Sequence, residues 1–285
     1  MNASSQRSCS SIRIHALLIF GVIFFSYAYF YEGAGWNQNS RFDLVRAIVE
    51  QGTLRIDGYD ENTGDKAFAN GHYYSDKAPG LALLAVPIAV GTRPLLRAAG
   101  VNPDSPRGLV DLAYWATVFA VALPMAAACA CLFWIALQLG SSLSGSAFAA
   151  LALGLGTPLW AYATLFWGHA LAGACLVFAF ACALKLRGGV SSAGDVCWGL
   201  ALGLTTGWAT VTLQNTLRRR PQRWSLLWRL LWFGGMGHFD AGASFLSSAR
   251  ERCLASWHSW LISTPRSVPC SIPAMRIIRK ELFLG

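Results

Sequence analysis

Residues 109–139 read LVDLAYWATVFAVALPMAAACACLFWIALQL and carry a single charge, Asp111. That exceeds the ~20 apolar residues needed to cross the hydrocarbon layer and leaves length for tilt. Working outward, the runs 14–31, 147–167, 170–186 and 197–213 each approach the same requirement. Composition agrees. Of 285 residues, 54% are hydrophobic and 13% charged, where soluble domains carry about 25% charged residues. Mean hydropathy is +0.42. Lipid is therefore the solvent, and each crossing segment must be a helix, because only a helix satisfies its own backbone polar groups within one segment. The expected fold is all-α: a polytopic transmembrane helix bundle with five or six spans.

The count turns on residues 78–91. This run lies between Lys77 and Arg93, is interrupted by Pro79 and Pro87, and offers about 14 residues, which suits a re-entrant or interfacial helix better than a full span. Charge asymmetry does not separate the two topologies. Up to residue 210, a spanning reading puts five Lys/Arg inside and seven outside; a non-spanning one puts four inside and eight outside. Arg7 and Arg13 keep residues 1–13 cytoplasmic. The triplet Ser26-Tyr27-Ala28 lies within the first apolar run and is followed by bulky Tyr29-Phe30-Tyr31, so that run reads as an uncleaved anchor rather than a signal peptide. The eight cysteines form no C-x-x-C pair and no zinc spacing.

With that orientation, the polar segment 32–78 is the first extracytoplasmic loop. Residues 32–77 hold eight acids and five bases. Asn39-Ser40 reads as a helix start, Phe42, Val45, Ile48 and Val49 recur near helical spacing, and Gly52 ends the run, which describes a short juxtamembrane amphipathic helix. Residues 53–57 read as a short strand, and Asn70-Gly71 as a tight turn before His72-Tyr73-Tyr74.

The stretch Asn39-Ser40-Arg41-Phe42-Asp43-Leu44-Val45-Arg46-Ala47-Ile48-Val49-Glu50 is followed by Gly64-Asp65-Lys66-Ala67 and by Gly71-His72-Tyr73-Tyr74-Ser75-Asp76-Lys77-Ala78-Pro79-Gly80. Together these resemble the first extracytoplasmic loop of the GT-C superfamily of glycosyltransferases. The closest shapes are bacterial proteins similar to dolichyl-phosphate-mannose protein mannosyltransferases and lipid A aminoarabinose transferases. The run 156–170 extends the likeness, which covers about residues 14–210. The resemblance implies a sugar donor joined to a polyprenyl phosphate, membrane lipid around it, and a glycan, lipid or protein acceptor at the outer face of a bacterial cytoplasmic membrane. It also implies an acid just beyond the first helix, matched by Asp43, and a basic residue before proline where the chain returns to the membrane, matched by Lys77. The mannosyltransferases place a second acid directly after the first. Here Leu44 follows Asp43 and no Asp-x-Asp occurs, so no metal or other cofactor is supported.

Such a transfer needs a carboxylate to deprotonate the acceptor, a cation for the leaving phosphate and a groove for the isoprenoid. Asp43 is the candidate base; Lys77, with Arg41 or Arg46, the candidate phosphate ligands. Each has a plainer alternative. Ser40-x-x-Asp43 also fits a capping box, Lys77 could snorkel at the interface, and Arg41 and Arg46 could bind lipid head groups. His169, between two apolar runs, marks a helix–helix turn and joins the site only if 78–91 does not span. Residues 214–285 differ. Ten Arg and one Lys against three acids, with scattered Trp, give +8 of the chain's +9 and no lasting period. They are expected to be no native domain but translation in a shifted frame, leaving a fragment of the family's architecture. No nucleic-acid module is present. A non-catalytic membrane protein binding lipid or partners is the alternative function. A transporter would require polar residues buried within several helices, which these runs lack.

Overall fold

The computed structural model describes residues 3–187 and 192–213; the basic Trp/Arg-rich segment 214–285 lies outside the described residues. The chain is a helical membrane protein. Helix α1 (Ala3–Tyr29) is followed by α2 (Trp36–Gln51), a 3-10 turn (Asp60–Asn62), a hairpin of β1 (Lys66–Ala69) and β2 (His72–Ser75), then α3 (Gly80–Ala98), α4 (Pro106–Thr117), α5 (Leu123–Gln138), α6 (Leu143–Leu155), α7 (Leu159–Ala163), α8 (Gly168–Arg187) and α9 (Ser192–Leu213). Five segments are long and apolar enough to cross a bilayer: Ser11–Tyr29, Gly80–Ala98, Pro106–Gln138, Gly168–Arg187 and Gly194–Leu213.

Contacts sort the helix ends into two groups. At the Tyr29 end, Glu32 N donates to Thr164 O (3.0 Å) and Trp160 Nε1 to Ser26 Oγ (3.0 Å). Tyr31 packs edge-on against Tyr114, in the second half of α4. Gly80 and Gly168 both abut Thr212; a Cβ on either would lie within 2.9 Å of Thr212 backbone atoms, so only glycine lets α3, α8 and α9 meet there. At the other end, Arg13, Gln138, Lys185 and Trp198 line one groove.

Helix α3 is longer than the 14-residue run expected from sequence, because Pro87 and Pro94 are accommodated inside it. Length alone would let it cross. Its start, however, lies beside Thr212, while Arg93 near its end pairs with Glu50 of α2 (3.2 Å) and with Asp104, just before α4. Both ends of α3 therefore belong to the Tyr29 end, and α3 lies against α2 and α4 without traversing the bundle. The traversals are α1, the α4–α5 rod, α6 with α7, α8 and α9.

The α4–α5 rod contains one π turn, Val118–Ala122, where Leu123 N bonds Val118 O. Pro124, with no N–H, cannot continue the regular ladder, and the wider turn absorbs the break. The run 147–167, expected as one span, is interrupted. Helix α6 ends at Leu155, and Thr157 both caps Leu159 N (3.3 Å) and bonds Leu153 O (2.7 Å) before the short α7. Where the sequence pointed to a strand at 53–57, only one bridge forms, Arg55 to Tyr74. The ladder is instead β1 with β2, antiparallel with Ala69 opposite His72. Its turn is Asn70-Gly71, both at positive φ (51° and 79°), as such a hairpin turn requires.

Candidate active site

Helix α2 carries the site. It begins at Trp36 after Gly35, whose φ of 97° a side-chain-bearing residue rarely adopts, and ends at Gly52 in the left-handed conformation. The expected start at Asn39-Ser40 is thus four residues late, and the capping-box reading of Ser40 and Asp43 fails. Ser40 sits inside the helix, donating from Oγ to Asp65 O (2.6 Å) and bonding Ser75 Oγ (2.8 Å). Those bonds tie α2 to β2 and to the loop before β1.

Asp43 is 3% exposed. Asn62 Nδ2, from the 3-10 turn, donates to its Oδ1 (3.2 Å), and its Oδ2 has no hydrogen-bond partner among the described residues. Burial raises its carboxyl pKa to about 6, the Asn62 bond and the nearby Arg46 charge opposing the shift. Asp43 lines a cavity of about 430 Å³ with Tyr31, Asn39, Arg46, Asn62 and, from α4, Val110. The site is therefore closed on one side by the link between α1 and α2, and on the other by α4. A carboxylate poised near neutrality, with one buried oxygen unpartnered among the described residues and its residue lining a cavity, has the properties of a general base.

Arg46 is the sole cation among the residues lining that cavity. Its Nε pairs with Glu50 (3.2 Å) and its guanidinium lies 4.1 Å over the Tyr59 ring. Glu50 also accepts from Tyr59 (2.7 Å) and Arg93, so one carboxylate ties α2, α3 and the loop together.

The remaining sequence-predicted residues gather elsewhere. Lys77 is held between Asp65 (2.9 Å) and Asp76 (3.2 Å), so its charge is already neutralised locally. Arg41, 5% exposed, donates to Ala78 O (3.0 Å) and Asn37 Oδ1 (3.1 Å). Burial lowers its pKa to about 10, with Asp76 and Asp65 opposing, which leaves it cationic at neutral pH. His169 belongs to this second group: its ring stacks on Tyr162 (4.7 Å) with Trp167 alongside (5.9 Å), and a Cβ on neighbouring Gly168 would lie 3.6 Å from Arg41 Nη1. Asp43 and His169 thus share one end of the bundle, but Lys77, Arg41 and His169 do not line the Asp43 cavity.

Asn62 is the residue of this candidate site that sequence reasoning missed. Nothing local marks it, because its partner stands nineteen positions away. Among the described residues, no three His, Cys, Asp or Glu side chains converge as a metal site, and the five described cysteines are free thiols. Comparison with protein-family models, with curated proteins and with solved structures yields no match to this chain.

Proposed function

We propose that this membrane protein is a GT-C-like glycosyltransferase scaffold that moves a sugar from a polyprenyl-phosphate donor to an acceptor hydroxyl at the extracytoplasmic face of a bacterial cytoplasmic membrane. The observation that carries this is Asp43: a buried carboxylate, elevated in pKa, with one oxygen unpartnered among the described residues, on a residue that lines a cavity between α2 and α4. In the proposed step, Asp43 takes the acceptor's hydroxyl proton as that oxygen attacks the anomeric carbon. The bond from that carbon to the phosphate oxygen breaks, the polyprenyl phosphate leaves, and the anomeric configuration inverts. Arg46, on the same cavity, is the nearest candidate to hold the leaving phosphate, with Arg41 second. Asn62 holds the carboxylate in position through Oδ1.

Lys77 fits this scheme less well than the sequence pattern implied. Its two carboxylate partners must yield before it can bind an anion. That neutralisation favours a second reading, a non-catalytic protein whose loop is a salt-bridged structural platform. One experiment separates them. Membranes containing the protein or its Asp43→Asn variant are assayed for sugar transfer from lipid-linked donors. The catalytic reading expects transfer by the parent and at least ~100-fold less by the variant at equal protein level. Equal transfer by both removes Asp43 as the base.

A further inference from the structure

A second cavity, about 940 Å³, opens at the end of the bundle away from Asp43, between α1, α5, α8 and α9. Its lining is divided by depth. Arg13, Gln138 and Lys185 occupy the ends of α1, α5 and α8 at its mouth, while Phe20, Trp134 and Phe178 lie further in. Among the described residues, no acidic side chain lines it, and neither Arg13 nor Lys185 has an ion-pair partner. From Arg13 to Phe20, and from Lys185 back to Phe178, the helices advance ~10 Å at 1.5 Å per residue. From Gln138 back to Ala127 they advance ~16 Å. Those depths match one leaflet of a hydrocarbon layer ~30 Å thick.

Two cations without an ion-pair partner among the described residues, above an apolar trough about one leaflet deep, complement one kind of molecule: an anion on a hydrocarbon chain. We propose that this groove binds a glycerophospholipid with an anionic headgroup, drawn from the leaflet at the Arg13 end. Its phosphate rests on Arg13 and Lys185, and an acyl chain lies along Phe20 and Phe178. A zwitterionic lipid offers the same chains but cancels its phosphate with a choline, so the two basic side chains select against it. A helix of another protein could fill the trough, but it would need an acidic side chain placed at the mouth to match both cations. The inference is independent of the transferase reading, because the groove and Asp43 stand at opposite ends of the bundle.

The test uses the full chain in detergent micelles, titrated with phosphatidylglycerol or phosphatidylcholine carrying identical brominated chains, which quench nearby tryptophan fluorescence. Trp134 and Trp198 line the groove. The signal is the part of the quenching that disappears in Trp198→Phe. Phosphatidylglycerol is expected to reach half-quenching at about tenfold lower concentration than phosphatidylcholine, and the double variant Arg13→Gln/Lys185→Gln to cut that preference below about twofold. Ala181→Phe, which fills the trough and leaves both charges intact, is expected to remove groove quenching by either lipid. Equal quenching of the parent by the two lipids, or no groove quenching by either, would overturn the proposal. So would a preference that survives the double variant, or quenching that survives Ala181→Phe.

Discussion

Burial holds the Asp43 carboxyl at about 6, so between about pH 4 and 6 the folded protein binds this proton and the unfolded chain does not. Stability contributed by the protonated form is fully present near pH 4 and is lost as pH rises through 6. Asp43→Asn, which cannot ionise, should therefore be more stable than the parent at pH 7.5 by on the order of 1–3 kcal/mol, and about equal at pH 4. Thermal unfolding in detergent at both pH values measures this; a variant no more stable at pH 7.5 contradicts the buried-charge account. Transfer, if present, runs the other way with pH, rising with a limb near 6 as the base ionises. Much of this site was visible in the sequence as residue types. Its partnerships were not. Ser40 and Asp43 fit a local capping pattern, but Ser40 bonds Asp65 and Ser75, contacts that exist only once the loop folds back on α2. Lys77 showed its charge. That Asp65 and its own neighbour Asp76 would both close on it depends on the path of the loop.

At the scale of elements, α2 and α3 share the Glu50–Arg93 ion pair beside their apolar packing, and Glu50 also accepts from Arg46 and Tyr59. These side chains are mostly sheltered, so Glu50→Ala leaves three donors without their shared acceptor and should cost about 1–3 kcal/mol. Limited proteolysis of the 53–77 loop should speed up accordingly; an unchanged rate would show that the ion network does not hold the loop. The three-helix junction at Thr212 makes a second prediction. Gly168→Ala places a methyl 2.7 Å from Thr212 O and should lower the unfolding temperature through overpacking of about 1–3 kcal/mol. Gly203→Ala, with nothing within 4 Å of the new methyl, serves as the neutral control. The apolar spans were legible because lipid demands unbroken hydrophobic length. Two elements were not. Gly156-Thr157-Pro158 breaks the run 147–167, a punctuation that its overall hydrophobicity conceals. And α3 continues through two prolines to full spanning length, so hydropathy alone assigns it to the membrane while its ion pairs return it to the loop.

For the molecule as a whole, the path follows from which helix ends meet. Five traversals by α1, α4–α5, α6–α7, α8 and α9, with α3 lying on the surface of the Tyr29 end, bring the loop carrying Asp43 and the turn carrying His169 to one face. The sequence favoured that arrangement on spatial grounds, although its Lys/Arg distribution was indifferent. The ion pairs of Arg93 and the close approach of Gly80, Gly168 and Thr212 supply the reason in contacts. Site-directed labelling tests it most directly. Single cysteines are placed by Asp57→Cys, Arg97→Cys, His169→Cys and Arg187→Cys in a background without native cysteines, and sealed vesicles of known orientation are treated with a membrane-impermeant thiol reagent. The account predicts that positions 57, 97 and 169 react from one side and position 187 only from the other. Labelling of position 97 together with 187 would make α3 a true span, separate Asp43 from His169, and contradict a site assembled on a single face.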